Sequence, residues 1–363
     1  MSLLKNDLSE PMRRVAEHVY SAHFEEDEQL DKEYSPYRRD RMRQDIVYNL
    51  SFLQTAVEID DQQLFANYAE WLFSLMVNLM PDLPTNRIRE QMITHYQLII
   101  QAIEKELDSS IIASYTTHLK RAIETTKVVQ PKNKERNYAE GKYGFAREAY
   151  LNYLLNFDVQ KAIEYMTSLY NNPFDLMEIY TEILRPVMVE IGERWHDNEL
   201  SVDEEHYMTS ITQLVVSRFY DVIFDSPKEK GRMLCCSVGS ELHEMGARMI
   251  SDLFEHDGWD SVYLGAGVPL QAISKAIERH KPNLIALSVT MPQHLSICKE
   301  IVEHVRSTFP SVKIAVGGRA FTMTDAVNTK WPIDLASNDA KELITWANVT
   351  FLETANEDAI ACD

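Results

Sequence analysis

No glycine occurs before Gly141, and eight of the eleven glycines lie from Gly231 onward. A glycine-free stretch that long, rich in Leu, Ile, Glu, Gln and Arg, reads as helical. Basic charge is scarce as well: the formal net charge is −20. That excludes a general binder of nucleic acid or anionic membrane, which needs a basic face to displace counterions. No apolar run reaches the roughly 20 residues needed to span a bilayer, and the N-terminus lacks a signal-peptide pattern. A cytoplasmic protein without membrane contact is the expectation. Cysteine is sparse, at four residues, and Cys235, Cys236, Cys298 and Cys362 form no C-x-x-C pair. Buried thiols plus a free tail cysteine are expected rather than a disulfide framework or a zinc site.

What is present is ordinary in bulk. With 363 residues, 45% hydrophobic and 25% charged, the chain has enough material for two or three domains with real cores. In "RQDIVYNLSFLQTAVEI", Ile46, Leu50, Leu53 and Val57 fall at helical spacing. "DDQQLFANYAEWLFSLMVNLM" opens on acidic N-cap candidates, carries Leu64, Phe65, Tyr68, Leu72 and Met76, and is closed by Pro81 and Pro84. These patterns predict an N-terminal helical domain over 1–125, with an antiparallel bundle from about residue 40. The polar stretch "KVVQPKNKERNYAEGKYG" supplies a linker at 126–142. Four more helical patterns predict a four-helix-bundle cap over 143–226, its last helix capped by Ser201 or Asp203.

After "DSPKEKG" the pattern changes. Short apolar runs alternate five times with helical stretches, which predicts an α/β domain over 227–355 and a tail at 356–363. The expected fold is therefore α plus α/β: helical bundle, four-helix cap, and a flavodoxin-like (Rossmann-type) five-stranded parallel sheet. Ligands of such sheets bind outside the carboxyl ends of the strands. There the first strand runs into "SVGSELHEMGARM", which carries Glu241, His243 and Gly246. A carboxylate two residues before a histidine can accept the proton of one ring nitrogen and make the other a better metal ligand. Gly246 lets a bulky group approach the backbone. The third strand ends on Ser288 and Thr290, the fourth on Gly317 and Gly318. Hydroxyls beside a bare sheet surface describe a slot for a long polar tail. Each element alone is common; the three together are specific.

This constellation resembles the cobalamin-binding domain family, over roughly residues 228–350. Its pattern of D/E-x-H-x-x-G, S-x-L/T and G-G is met by Glu241–Gly246, Ser288–Thr290 and Gly317–Gly318, with Glu where many members have Asp. The resemblance implies that His243 is the lower cobalt ligand in place of the cofactor's own base. It also implies that the displaced nucleotide tail fills the slot. In the light-sensing subfamily, of CarH/LitR type, the preceding cap carries W-x9-E-H. Here Trp195 is followed by nine residues and then Glu205-His206. By that likeness Trp195, Glu205 and His206 contact an upper 5′-deoxyadenosyl group, and His196 becomes the upper cobalt ligand after light expels it. A structural reading stands beside this one. Trp195 can seal the bundle end, and Glu204, Glu205 and His206 can form a solvated first helical turn, where acidic residues are favoured.

The resemblance thus implies an adenosylcobalamin-dependent light sensor, not an enzyme, that answers by a change of conformation or oligomeric state. The subfamily carries a basic DNA-binding domain where this chain has an acidic helical bundle. Output through a protein partner or a light-dependent homo-oligomer is expected, without direct contact to nucleic acid. The alternative is a corrinoid carrier for methyl transfer. Some light-responsive relatives also bind a linear tetrapyrrole such as biliverdin. Tyr34, Tyr37, Tyr48, Tyr68 and Trp71 can flank such a pigment or simply fill the bundle core.

Overall fold

A computed structural model describes residues 8–26, 34–131, 136–324 and 330–360. Cys362 and the last three residues of the expected tail lie outside the described residues, as do 132–135 of the expected linker. By their contacts the residues form two compact units.

The first unit comprises residues 1–132, 291–299 and 319–330. Its helices are α1 (Glu10–Glu26), α2 (Pro36–Glu58), α3 (Gln62–Leu79), α4 (Thr85–Glu106) and α5 (Ser109–Val128). The apolar stripes read from the sequence turn inward: Ile46, Leu50, Leu53, Leu64, Phe65 and Tyr68 are all buried. Side chains fix the helix starts. Ser35 caps α2, with Pro36 in its first turn. Asp61 accepts from the amides of Gln63 and Leu64 at the head of α3, and Asp108 caps α5. Among the described residues seven glycines hold a positive φ, but five such positions lack glycine. Asp60, Phe157, Asn171, Asn198 and Lys281 hold the left-handed conformation usually left to it. The segments 291–299 and 319–330 belong to the same unit through side-chain hydrogen bonds. Thr55 donates to the Gln293 carbonyl at 2.8 Å, Asn67 to the Met323 carbonyl at 3.1 Å, and Thr324 to the Asp61 carboxylate.

The second unit holds both the helical layer and the sheet. Its first helices are α6 (Gly144–Leu155) and α7 (Val159–Leu169). A longer rod follows. It starts as α8 (Leu176–Glu178), passes through a π-helix (Ile179–Leu184) and continues as α9 (Arg185–His196). Next come α10 (Val202–Ser217) and the short α11 (Tyr220–Ile223). Of the two candidate caps, Ser201 is the one used, in a reciprocal capping box with Glu204. The sheet has five parallel strands in the order β2-β1-β3-β4-β5: β1 (Arg232–Ser237), β2 (Asp260–Tyr263), β3 (Leu284–Ser288), β4 (Lys313–Gly317) and β5 (Leu335–Ala336). That is the flavodoxin-like order, with its switch point between β1 and β3. Helix α12 (Met245–His256) follows β1, and α15 (Ala340–Ile360) follows β5; between them lie α13 (Leu270–His280) and α14 (Leu295–Thr308). One apolar core runs through the unit, from Tyr150, Tyr180 and Val215 in the helical layer to Cys235, Phe254 and Trp259 at the sheet. Trp259 is fully buried, edge-on to Phe254 at 5.4 Å, and donates its indole N–H to Asn348 at 3.0 Å.

Candidate functional site

The three strand tips that border the switch point lie level with one another. Ser237 of β1 pairs in register with Ser288 of β3, and Ser288 with Gly317 of β4. Beyond β1 the chain turns through residues 238–244 before α12 begins, and this loop carries the Glu-x-His pair. Glu241 is buried to 1% exposure, whereas the His243 side chain is 59% exposed. The Glu241 carboxylate anchors both sides. One oxygen lies 2.5 Å from His243 Nδ1 and also accepts the His243 amide; the other accepts the backbone N–H of Thr290 at 3.0 Å. A carboxylate so fixed holds the proton on Nδ1 and leaves the lone pair on Nε2 of an outward-facing imidazole. Thr290 thus ties this loop to the end of β3 through its amide.

Beside this loop a cleft opens between the sheet and helices α12 and α15. Small residues line much of it, among them Cys235, Ala247, Ala286, Ala315, Gly317 and Ala340, beside the larger Ile250, Leu287, Val316 and Leu343. The Cys235 thiol donates to the Ala247 carbonyl at 3.4 Å, and burial pushes its pKa well up. The thiol is thus part of the wall, not a nucleophile. A Cβ on Gly317 would come within 2.4 Å of the Ser337 carbonyl oxygen. Gly318 sits at φ +105°, and a Cβ there would come within 2.4 Å of the Val289 carbonyl oxygen. Both glycines are thus obligatory, and the wall they form is bare. The Gly318 amide donates to Asn338 Oδ1 at 2.6 Å. At Gly246, in the first turn of α12, a Cβ would meet nothing within 4 Å, so open space lies over the backbone there.

One polar atom at this edge has no partner among the described residues. The Ser237 hydroxyl is fully buried and makes no hydrogen bond, while its amide is already engaged by the Gly265 carbonyl. A buried hydroxyl without a partner costs roughly 1–3 kcal/mol, and a polar ligand reaching down among the strand tips would remove that cost. The orphan hydroxyl, the alanine- and glycine-walled cleft and the outward imidazole fit a flat metal macrocycle that carries a long polar tail. His243 would reach the metal, and Ser237, Ser288, Gly317 and Gly318 would border the tail. Ser237 escaped the sequence reading, although its place at the end of an apolar strand run was visible.

The other predicted residues lie in the helical layer. Trp195 and His196 end α9; Glu205 and His206 stand in the first turn of α10, beyond the turn 197–201. That turn is clamped by Arg136, which bonds Asp197 at 2.8 Å and Glu199 through two contacts of 2.6 Å. Trp195 is half-buried. His196 is buried, with Nδ1 3.4 Å from Asp197 Oδ1. Glu204 performs the structural work at the helix start through the capping box, which leaves Glu205 for other partners. The Glu205 carboxylate accepts from Thr209 at 3.0 Å and lies 2.6 Å from His206 Nδ1, while the His206 side chain is 72% exposed.

Among the N-terminal aromatics, Tyr68 is buried, stacked on Phe52 at 3.9 Å and near Trp71 at 6.0 Å. Tyr37 is largely exposed, Tyr48 is part-exposed, and Tyr34 meets Phe24 edge-on.

Residues 231–331 match a family model described as a B12 binding domain, and residues 146–220 match a second model of the same description. Over 154 residues the chain is 27% identical to the HTH-type transcriptional repressor CarH of Myxococcus xanthus, covering 42% of this chain and 50% of that protein. Over 95 residues it is 25% identical to the methanol–corrinoid protein of Methanosarcina barkeri (strain Fusaro / DSM 804), covering 26% and 37%. The chain thus spans half or less of the length of these relatives. The solved monomethylamine corrinoid protein of Methanosarcina barkeri shares the fold, with a TM-score of 0.51 and 17% identity, over 57% of this chain and 99% of that one.

Proposed function

Because this chain carries paired helical and α/β B12-binding domains and is related to the CarH-type repressors, we propose that it is a light sensor built on adenosylcobalamin. The observation that carries the reading is the outward imidazole of His243, fixed by the buried Glu241 carboxylate at the strand edge where the Ser237 hydroxyl lacks a partner. Bound adenosylcobalamin supplies a cobalt–carbon bond that light can break. The protein's part is to hold the metal from below through His243 and to keep the tail at the strand tips. Trp195, Glu205 and His206 would border the adenosyl group. The helical layer is the element that shifts when that group leaves. Once that group had left, His196 would be the candidate to hold the cobalt in its place, neutral imidazole being a suitable ligand. Its burial and its contact with Asp197 mean that this step includes a rearrangement of the clamped turn 197–201.

The sensor is not an enzyme. Its output is a light-dependent change of oligomeric state or a protein partner, in a cytoplasmic protein that does not bind nucleic acid directly. Among the described residues no helix is long and apolar enough to cross a membrane. A linear tetrapyrrole such as biliverdin, held among the aromatics of the N-terminal helices, is proposed as a second chromophore. Co-expression with biliverdin tests this, a protein that stays colourless in the red contradicting it. The main test is the absorption spectrum of protein loaded with adenosylcobalamin, before and after green light. A light-induced change to a bis-histidine spectrum, lost in His196→Ala, is expected; a spectrum unmoved by light overturns the sensor.

The likeness to the methanol–corrinoid protein and the shared fold of the monomethylamine corrinoid protein favour a second reading, a corrinoid carrier for methyl transfer. Trp195→Ala separates the two. If the tryptophan meets an adenosyl group, the variant loses its preference for adenosylcobalamin over methylcobalamin. Equal affinity losses for both forms mean that Trp195 only supports the helical bundle, which removes its argument against the carrier.

A further inference from the structure

The rod that ends at Trp195 and His196 is interrupted near its other end by the π-helix Ile179–Leu184. An extra residue in a helical turn widens the backbone and often marks a functional position. Tyr180, inside this segment, is fully buried, and its hydroxyl donates across to Asp252 of α12 at 3.4 Å. At 1.5 Å per residue, Tyr180 and Trp195 stand roughly 22 Å apart along the rod.

Asp252 does not end the chain of contacts. Arg248, one turn earlier on α12, lies 3.8 Å from its carboxylate. The same guanidinium donates to the hydroxyl of Tyr220 in α11 and sits over two rings, those of Tyr220 and of Tyr263 in β2, each at 5.2 Å. Tyr263 completes the path. Its hydroxyl lies 3.2 Å from both the carbonyl and the carboxylate of Glu244, the residue that follows His243. The Glu244 carbonyl also accepts the Arg248 amide at 3.0 Å, so the loop's last residue is tied both to α12 and to β2. Two contacts of Arg248, Tyr220 and Asp252–Tyr180, lead into the helical layer. A third, Tyr263–Glu244, leads to the loop of the outward imidazole.

We propose that Arg248 is a positioning residue that couples the helical layer to the His243 loop, so that a shift of the rod at its π-helical segment is felt at the lower-ligand loop, and the reverse. The proposal deepens the cobalamin reading, on which the meaning of the two ends rests; the contacts themselves belong to the protein alone. An arginine suits the task because its planar fork holds a carboxylate, a hydroxyl and two ring faces at once. A lysine would hold one of them.

The test uses the full chain and three substitutions. Tyr180→Phe removes only the hydroxyl on the helical side, 3.4 Å from Asp252. Tyr263→Phe removes only the hydroxyl on the loop side. Arg248→Met cuts the centre and keeps the stem. Amide hydrogen exchange over residues 239–246 is followed in cofactor-free protein. Tyr180→Phe, whose hydroxyl bonds Asp252 and not the loop, is expected to raise loop exchange by about threefold or more, the scale of coupling between groups in one network. Arg248→Met raises it at least as far, and Tyr180→Phe adds nothing in that background. Reciprocally, Tyr263→Phe raises exchange in residues 179–184. If Tyr180→Phe changes exchange only in its own rod and in α12, or if its effect adds in full to that of Arg248→Met, the coupling is overturned. Adenosylcobalamin binding is measured separately. Coupling without corrinoid binding would leave this proposal standing and remove the cofactor reading, and binding without coupling would do the opposite.

Discussion

In the N-terminal unit a strongly perturbed buried group is a histidine, and in the second unit it is a carboxylate. Burial, with the neighbouring His23, pushes His95 down from 6.5 to about 3, and His23 Nε2 lies 2.9 Å from its Nδ1. Burial pushes Asp252 up from 3.8 to about 6, against the opposing pull of Arg248 and Tyr180 and with some help from Glu255. The two shifts act on stability in opposite directions. Unfolded His95 takes up a proton near 6.5 and folded His95 only near 3, so its contribution is intact above 6.5 and drains away as the pH falls. Folded Asp252 holds its proton up to about 6 and unfolded Asp252 only to 3.8, so the penalty of its charge is absent in acid and complete above 6. Through His95 the N-terminal unit loses stability as the pH falls. The cofactor unit carries a strain at neutral pH at the contact that joins its helical layer to α12.

That contrast breaks most readily at the cleft. Gly317→Ala forces a Cβ to within 2.4 Å of a backbone oxygen and should cost the second unit about 1–3 kcal/mol, while the helices of residues 10–128 keep their stability. Exchange protection resolved by segment checks this, and equal loss in both units would show that they do not respond separately. Next in size is His95→Gln. Wild type should lose up to about 2 kcal/mol between pH 7 and pH 5 through this residue, and the variant should lose correspondingly less in urea titrations. Equal pH slopes would mean that His95 is not the acid-labile group. Asp252→Asn keeps an acceptor for Tyr180 and removes the charge. It should stabilise by about 1 kcal/mol at pH 7 and change little at pH 4; the reverse order would contradict the sign argued above. Smallest is Lys281→Gly. Lys281 is exposed and holds φ +48° at the C-cap of α13, so glycine should add about 0.5–1 kcal/mol of stability. A loss would show that the lysine stem does more than close the turn.

The two units also differed in how much of them could be read in advance. Strand and helix alternate at fixed spacing in the α/β region, so its five strands and their order at the ligand edge were legible from apolar runs and glycines. His243, Glu241 and the glycine pair follow from strand ends, where chemistry is confined to a few positions. Ser237 was equally visible but silent, because only the register with Ser288 and the missing partner give it meaning. The π-helix was not legible. "PFDLMEIYTEILRPVMVE" reads as plain helix, and the widened turn is visible only in the fold, where Tyr180 of that segment meets Asp252, 72 residues away. In the N-terminal unit the helices and most of their buried faces were legible from period alone. Segments 291–299 and 319–330, which join it through Thr55, Asn67 and Asp61, were not, since no local pattern marks a loop for a contact made 200 residues away.

The central claim is that a corrinoid is held from below by His243. The absorption spectrum of adenosylcobalamin bound to the wild type and to His243→Ala tests it most directly, because the cobalt bands report the lower ligand and the substitution leaves the buried Glu241 and the cleft in place. Imidazole-ligated bands in the wild type and base-off bands in His243→Ala, with weakened binding, are expected. The same spectrum and the same affinity in both proteins would contradict the account.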